Sequence, residues 1–406
     1  MKSKLIGLAL FMLTAVTIVF YPVYNSNGAV NQNSVKPVQL TDAPIQPQNN
    51  QRPKVEVVFA LDTTGSMSGL IHAAKEKIWS IATTMAQAQP APEIRIGLVA
   101  YRDRGDEYVT RIVDLSADLD TMYSTLMDFR ADGGGDGPES VNQALYDAVH
   151  NMSWSQDQNA YKVVFLVGDA PPHMDYVDEM KYPEILETAK QKHIVINTVQ
   201  CGNQSYTTGQ WQHIAQLGQG NYFQVEQAGS AVAISTPYDA KLADLSAKLD
   251  KTRLYYGNEE DKAKAKRKQE ATKKLHRQSS VESRARRAEF NASKSGESNL
   301  LGEKELVEDV ISGRVDLSKM DKDQLPQPMQ NLPPVEKQRI IEQKAKERKD
   351  LIEKIQSLSQ ERSTYLRKKV EESGGAEESL DNQIFSTVRQ QAQAKGLRYE
   401  AAAPRY

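Results

Sequence analysis

Three short stretches set carboxylates beside small hydroxyl residues or rigid turns. The first is Asp62-Thr63-Thr64-Gly65-Ser66, directly after the apolar run "VEVVFAL". The second is "DGGGDGPES", Asp132 to Ser140, and the third is Gly168-Asp169-Ala170-Pro171-Pro172-His173. Positions 62, 64 and 66 of a tight loop can aim three oxygens at one point. Carboxylate and hydroxyl oxygens suit a hard divalent cation, Mg²⁺ first, with Mn²⁺ or Ca²⁺ as substitutes. Two hydroxyls with few carboxylates leave such an ion electron-poor, so it attracts a further carboxylate from outside. A rival chemistry makes Asp62 a nucleophile for phosphoryl transfer. Against it, position 63 is a threonine rather than the lysine such a motif needs, and position 64 carries no second acid. A helix N-cap explains Asp62 alone but not three such loops. No G-x-S-x-G elbow is present, and His72, His150, His173, His193, His213 and His276 form no H-E-x-x-H pair. The lone Cys201 permits no internal disulfide and no thiolate cluster; it ends a strand-like run and is expected to be packed.

The elements that must position these loops are legible as alternation. Strand-length apolar runs read "VEVVFAL", "EIRIGLVAY", "YVTRIVDL", "YKVVFLVG", "HIVINTVQ" and "NYFQVE". Helical stretches lie near 70–88, 119–129, 141–150, 182–192 and 210–217, with a last one from Ala231. Several strands are apolar on both faces, as buried parallel strands are. The pattern predicts an α/β fold, a doubly wound, mostly parallel, Rossmann-like sheet. Ligands of such sheets bind outside the carboxyl ends of the strands, which is where the three loops fall.

"DTTGSM", "GGGDGPES" and "VVFLVGDAPPH", in this order, resemble the metal-ion-dependent adhesion site of a von Willebrand factor A domain. The resemblance runs from about Lys54 to Gln227, roughly half the chain, and "GLVAYRDRGDEY" is similar to bacterial and alpha-kinase-linked members. It implies Asp62, Thr64 and Ser66 as first-loop ligands and Asp169 as a later one, often acting through water. The family's second-loop threonine is missing here. Asp136, then Glu139, is the preferred replacement, with Ser140 or water as further options. An extra carboxylate there would make the ion less electrophilic and weaken its hold on a partner's acid. His173 is the residue placed to touch a partner, while Asp103 and Asp106 are expected to hold a turn. The resemblance implies a non-enzymatic protein, an adhesion or scaffold module whose cation captures an acidic group on a protein partner. The alternatives are phosphoryl transfer and a structural envelope protein with a purely structural cation.

Around this domain the composition changes. The 406 residues carry a formal net charge of -2, so no global field points to nucleic acid. Residues 1–30 join "MKSK" to the uncharged "LIGLALFMLTAVTIVFYPV", an expected signal peptide or N-terminal membrane anchor, which implies an extracytoplasmic protein. Residues 31–53 are an Asn/Gln/Pro linker ahead of the 54–250 domain. Residues 251–298 are expected as a basic flexible or helical linker. Its 262–287 stretch is a candidate contact for an anionic surface, without the interleaved aromatics of a nucleic-acid binder. Residues 299–406 are expected to be helical, and some of these stretches are similar to the tails of bacterial exported proteins with this domain. A long helix is expected from Pro334 to about Glu372. Its stripe of Ile341, Ala345, Ile352, Ile355, Leu358, Tyr365 and Leu366 is interrupted by Arg348, Ser359 and Arg362, short of a sustained heptad. A helical hairpin, packing on the α/β domain and dimerisation are all open to it.

Overall fold

The structure is a computed structural model that describes residues 52–135, 137–226, 234–372 and 380–399. The expected export segment and nearly all of the following linker lie outside the described residues. Six strands form one sheet in the order β3-β2-β1-β4-β5-β6. They are β1 (Lys54–Asp62), β2 (Glu93–Tyr101), β3 (Thr110–Ser116), β4 (Tyr161–Gly168), β5 (Ile194–Cys201) and β6 (Gln219–Val225). All neighbours are parallel except β2 and β3, which are antiparallel at one edge. Each strand predicted from the sequence is present, and the fold is the predicted mostly parallel, doubly wound sheet.

Strand alternation builds two cores. Val55, Val57, Phe59 and Leu61 of β1 face one side; Val58 and Ala60 face the other. On the first side lie α1 (Ser68–Met85) and α2 (Leu119–Leu126), contributing Trp79, Met85, Met122 and Tyr123. On the second lie α3 (Val141–Tyr146), α4 (Tyr182–Gln191) and α5 (Ser205–Leu217), contributing Leu145, Ile185 and Trp211. Burying each large apolar side chain contributes about 1.5–3 kcal/mol, so both faces of the sheet are strongly driven to be covered.

Chain order leaves β1 toward β2 and β3 on one side, then restarts at β4 and moves away on the other. The direction therefore reverses between β1 and β4. Their carboxyl ends, in register at Leu61 and Val167, open a crevice at the switch point. Asp62 ends one strand, and Asp169 follows the other.

The helical region is folded onto this sandwich. After α6 (Asp239–Asp250) come α7 (Glu259–Gln278), α8 (Val281–Asn291), α9 (Glu297–Leu301), α10 (Leu306–Ile311), α11 (Pro334–Glu372) and α12 (Leu380–Gln393). The basic stretch expected as a linker is α7 packed on α2, followed by α8 packed on α1 and α6. The Phe290 ring of α8 lies 6.0 Å from the Trp79 ring of α1. The stretch escaped a periodicity reading because it packs through alanines and paired charges. α8 buries Ala285, Arg287 and Ala288 beside Phe290. The fully buried Arg287 joins Asp120 of α2 (2.7 and 2.5 Å) to Asp250 of α6 (2.9 and 3.0 Å). α11 covers α6, α8 and α10. Its supposed interruptions belong to the buried face, since Arg348 pairs with Glu305 (2.8 and 3.0 Å) and Arg362 with Asp239 (2.7 Å). α12 rests on α1 and β6, and Gln391 bridges Tyr161 and Asn197 at 2.7 and 2.9 Å.

Candidate metal centre

The first loop is wound around its own aspartate. Asp62 is fully buried, and its Oδ1 accepts from the Thr64 backbone N–H (2.8 Å) and the Thr64 hydroxyl (2.7 Å). Thr64 Oγ1 lies 3.3 Å from Ser66 Oγ, so the alternate positions do converge. Thr63 turns the other way, donating its hydroxyl to the Tyr101 carbonyl at 2.9 Å. That bond anchors the loop to the end of β2.

The second loop lies against the first. The Gly65 N–H donates to the Gly133 carbonyl (3.1 Å) and the Asp132 N–H to the Thr63 carbonyl (3.1 Å). Gly133 and Gly134 both have positive φ, and a Cβ on Gly133 would fall 2.2 Å from Asp106 Oδ1. Only glycine lets the backbone pass this close, which leaves the Gly134 N–H on the Asp106 carboxylate (3.1 and 3.3 Å). The third loop is pinned to the second through backbone bonds from Glu139 N–H to the Pro171 carbonyl (2.9 Å) and from His173 N–H to the Glu139 carbonyl (3.2 Å). Gly168 permits another close approach, since a Cβ there would sit 2.4 Å from the Tyr101 hydroxyl and 3.1 Å from Asp62 Oδ2.

Buried carboxylates therefore collect at the switch point. Glu139 is 3% exposed and Asp169 6%. Burial pushes the Asp62 carboxyl up to about 7, against the pull of the Thr64 hydrogen bonds, and the nearby Asp169 charge adds to the rise. Burial also pushes Glu139 up to about 9, with Asp62, Asp103, Asp106 and Asp169 adding repulsion. Burial first, and after it the Asp62 and Asp169 charges, hold the Tyr101 hydroxyl and the Cys201 thiol well above their ordinary values. Asp62 Oδ2 and Glu139 Oε2 are buried without a well-formed hydrogen bond. A divalent cation would answer both the missing donors and the mutual repulsion, and an oxygen-only set suits a hard ion. The chemistry of the donors thus fits a cation: Asp62, with the Thr64 and Ser66 hydroxyls beside it, would hold the ion, and Glu139 and Asp169 stand close enough to act on it by charge. Among the described residues no group of three or more His, Cys, Asp or Glu could hold a metal ion, so the three carboxylates are not a ready-made ligand set and the hydroxyls of Thr64 and Ser66 are needed beside Asp62.

The structure brings Asp62, Thr64, Ser66, Glu139 and Asp169 to one end of the sheet. Asp136 lies outside the described residues. Ser140, the other second-loop option, donates instead to Asp103 Oδ1 (2.8 Å). His173 is 4% exposed and spends its ring on neighbours: Nδ1 is 2.8 Å from Asp175, Nε2 is 3.4 Å from Asp103, and the ring stacks on Tyr176 at 4.0 Å. Its placement is that of a loop organiser.

The residue missed from the sequence is Arg102, and Asp103 does more than the turn expected of it. The Asp103 carboxylate also takes the Tyr176 hydroxyl (2.8 Å), joining the β2–β3 loop to both later loops. Buried Arg102 donates to the Thr63 carbonyl (3.2 Å) and the Arg130 carbonyl (2.9 Å). Their signal lay in "YRDRGDEY", where charges directly follow the apolar run 96–101 of β2.

Comparison with known proteins finds similarity over part of the chain. Residues 56–237 match the family model described as von Willebrand factor A domain. An alpha-protein kinase, vwkA, of Dictyostelium discoideum is 30% identical over 121 residues, which cover 29% of this chain and 19% of the kinase. A putative ariadne-like RING finger protein of Acanthamoeba polyphaga mimivirus is 29% identical over 122 residues, 29% of this chain and 11% of that protein. The chain thus spans less than a fifth of the length of either curated relative. Among solved structures, the SpRpn10 VWA domain is similar with a TM-score of 0.34 and 12% identity, covering 44% of this chain and 91% of that one. Residues 56–237, less than half of the chain, are thus similar to a von Willebrand factor A domain, and the sheet with its switch-point loops lies within that match.

Proposed function

We propose that this chain is a non-enzymatic, exported binding protein whose von Willebrand factor A domain holds a divalent cation, Mg²⁺ first, and uses it to capture an acidic group on a partner protein. The observation that carries this reading is the pair of buried carboxylates, Asp62 and Glu139, each with an oxygen lacking a well-formed hydrogen bond beside the Thr64 and Ser66 hydroxyls. When bound, the cation would supply an electrophilic point for an incoming carboxylate. The chain's own residues orient the hydroxyls, keep water from the Asp62 side and set the loop heights. Glu139 adds negative charge to the set and so tunes the hold on the partner downward. Asp62 is fully buried, which argues against its attacking a phosphoryl donor. Export rests on the composition of residues 1–30.

The test is isothermal titration of the EDTA-stripped chain with Mg²⁺, Mn²⁺ and Ca²⁺, with melting followed in parallel. Wild type should bind and melt higher; at a hundredfold excess over Kd the stabilisation is about 2.7 kcal/mol. Asp62→Ala should do neither. A wild type indifferent to all three ions would sink the cation reading.

A further inference from the structure

Seven large hydrophobic side chains are exposed among the described residues. Four of them, Met174, Val177, Met180 and Tyr206, lie on the segments that follow β4 and β5 at the carboxyl end of the sheet. Val177 is 98% exposed. Tyr206 sits beside the candidate centre, because the hydroxyl of the next residue, Thr207, donates to the Asp169 carbonyl at 3.0 Å. The Met174–Met180 loop is firmly backed. The Tyr176 hydroxyl is bonded to Asp103, the Arg104 guanidinium lies 4.0 Å over the Tyr176 ring, and Lys181 donates to the Tyr176 carbonyl. The Asn142 side chain donates to the His173 carbonyl (2.6 Å) and to Glu179 (2.9 Å).

A valine held nearly bare on an anchored loop contributes nothing to the core. Covered by a partner, it would add apolar burial with little ordering cost. Its flanks add a charge signature. The side chains of Asp175 and Asp178 are 72% and 67% exposed, and hydrogen bonds to His173 and Arg104 keep both carboxyls below their ordinary range. Asp178 is already paired with Arg104 at 2.8 Å, so the open anion beside the apolar tip is Asp175, and the two together complement an apolar residue next to a basic one.

We infer that this loop reads the residues beside the captured carboxylate. The partner segment carries an acidic residue for the cation centre and, adjoining it, an apolar and a basic residue that meet Val177 and Asp175. This rests on the cation reading above and adds to it the class of sequence the site selects.

The test pans a random-peptide display library on the full chain, once with Mg²⁺ and once with EDTA. Enriched peptides are then synthesised and titrated against wild type, Val177→Ser and Asp62→Ala. Enrichment only with Mg²⁺ of peptides joining acidic, apolar and basic residues is expected. Val177→Ser should leave Mg²⁺ affinity unchanged and weaken those peptides about tenfold, the scale of one buried valine. Asp62→Ala should abolish their binding. Mg²⁺-dependent peptides with an acid alone, indifferent to Val177→Ser, would overturn the loop's role and leave the cation reading standing. Apolar and basic peptides bound equally in EDTA would overturn the joint site, with the cation reading the part that failed. A library with no enrichment under either condition would overturn the loop's role, while the Mg²⁺ titration decides the cation reading separately.

Discussion

Asp62 and Glu139 show how one residue type acquires two behaviours from its surroundings. A carboxyl in water releases its proton near pH 4; these two, buried beside further acids, are pushed to about 7 and about 9. A cation that supplies positive charge relieves both. Glu139→Gln keeps the shape and removes the charge, so the EDTA-treated variant should melt a few degrees above wild type at pH 8 or higher, on the order of 1 kcal/mol of relief. Its gain in melting temperature on adding Mg²⁺ should be smaller than that of wild type. Scanning calorimetry with and without Mg²⁺ checks both; an EDTA-treated variant that melts lower would mean that Glu139 is held by an attractive partner. Asp103 acts through others. Asp103→Ala leaves Ser140 and Tyr176 without their common acceptor, and should weaken Mg²⁺ binding, measured by titration, while Asp103→Asn retains an acceptor oxygen and part of the affinity.

Among the elements, α2, α6 and α8 are joined by charge as much as by apolar contact. Arg287 is buried between Asp120 and Asp250, with the Thr272 hydroxyl also on Asp120 (2.7 Å) and His276 on Asp250 (2.7 Å). Burial alone would raise both carboxyls, but the Arg287 guanidinium overrides it, holding Asp250 at about 2 and Asp120 lower still. Folded values below the unfolded ones mean that this stabilisation is full above about pH 4. It is lost as the pH falls through about 2 and below. Wild type should therefore lose stability on the acid side from about pH 4 downward. Asp120→Ala, which leaves Arg287 uncompensated, should cost about 3–5 kcal/mol at pH 7, read by urea unfolding. A loss below about 1 kcal/mol would show that water already screens the pair. The α11 arginines follow the same rule. Arg348 and Arg362 interrupt the apolar stripe only when charge is taken to mean exposure; each meets a buried acid.

At the scale of the whole molecule, the helical region is part of the domain's stability. α7 and α8 cover α2 and α1, and α12 covers α1 and β6. A chain ended at residue 237 would leave Trp79 without Phe290 and Asp120 without Arg287. That fragment should be aggregated or poorly folded by size-exclusion chromatography and circular dichroism, and co-expression with residues 238–406 should restore a soluble complex. A well-folded, monomeric fragment would refute the dependence. The basic 262–287 stretch has part of its charge spent within the fold: Lys268 and Lys274 pair with Asp118 and Asp128 of the α/β domain, and Arg287 is fully buried. Any contact with an anionic surface is left to its exposed lysines and arginines, such as Lys264 and Arg267. No helix among the described residues is long and apolar enough to cross a membrane.

The sheet was legible because its driving force is local. Continuous Val, Ile and Leu runs of strand length specify buried parallel strands, and their carboxyl ends locate Asp62 and Asp169 without knowledge of distant contacts. The 334–372 helix was equally legible, since its length and charge are properties of one segment. Where Glu139 points, what Asp103 joins and what covers α7 and α8 could not be derived that way. Each depends on a partner far along the chain: Pro171 and Asp62 for Glu139, Tyr176 for Asp103, Asp120 for Arg287. A hydrophobic pattern records which side chains avoid water. It does not record which charge meets which, and in this protein those pairings, made only in the tertiary structure, dock the helices, while long-range backbone hydrogen bonds hold the second loop on the site.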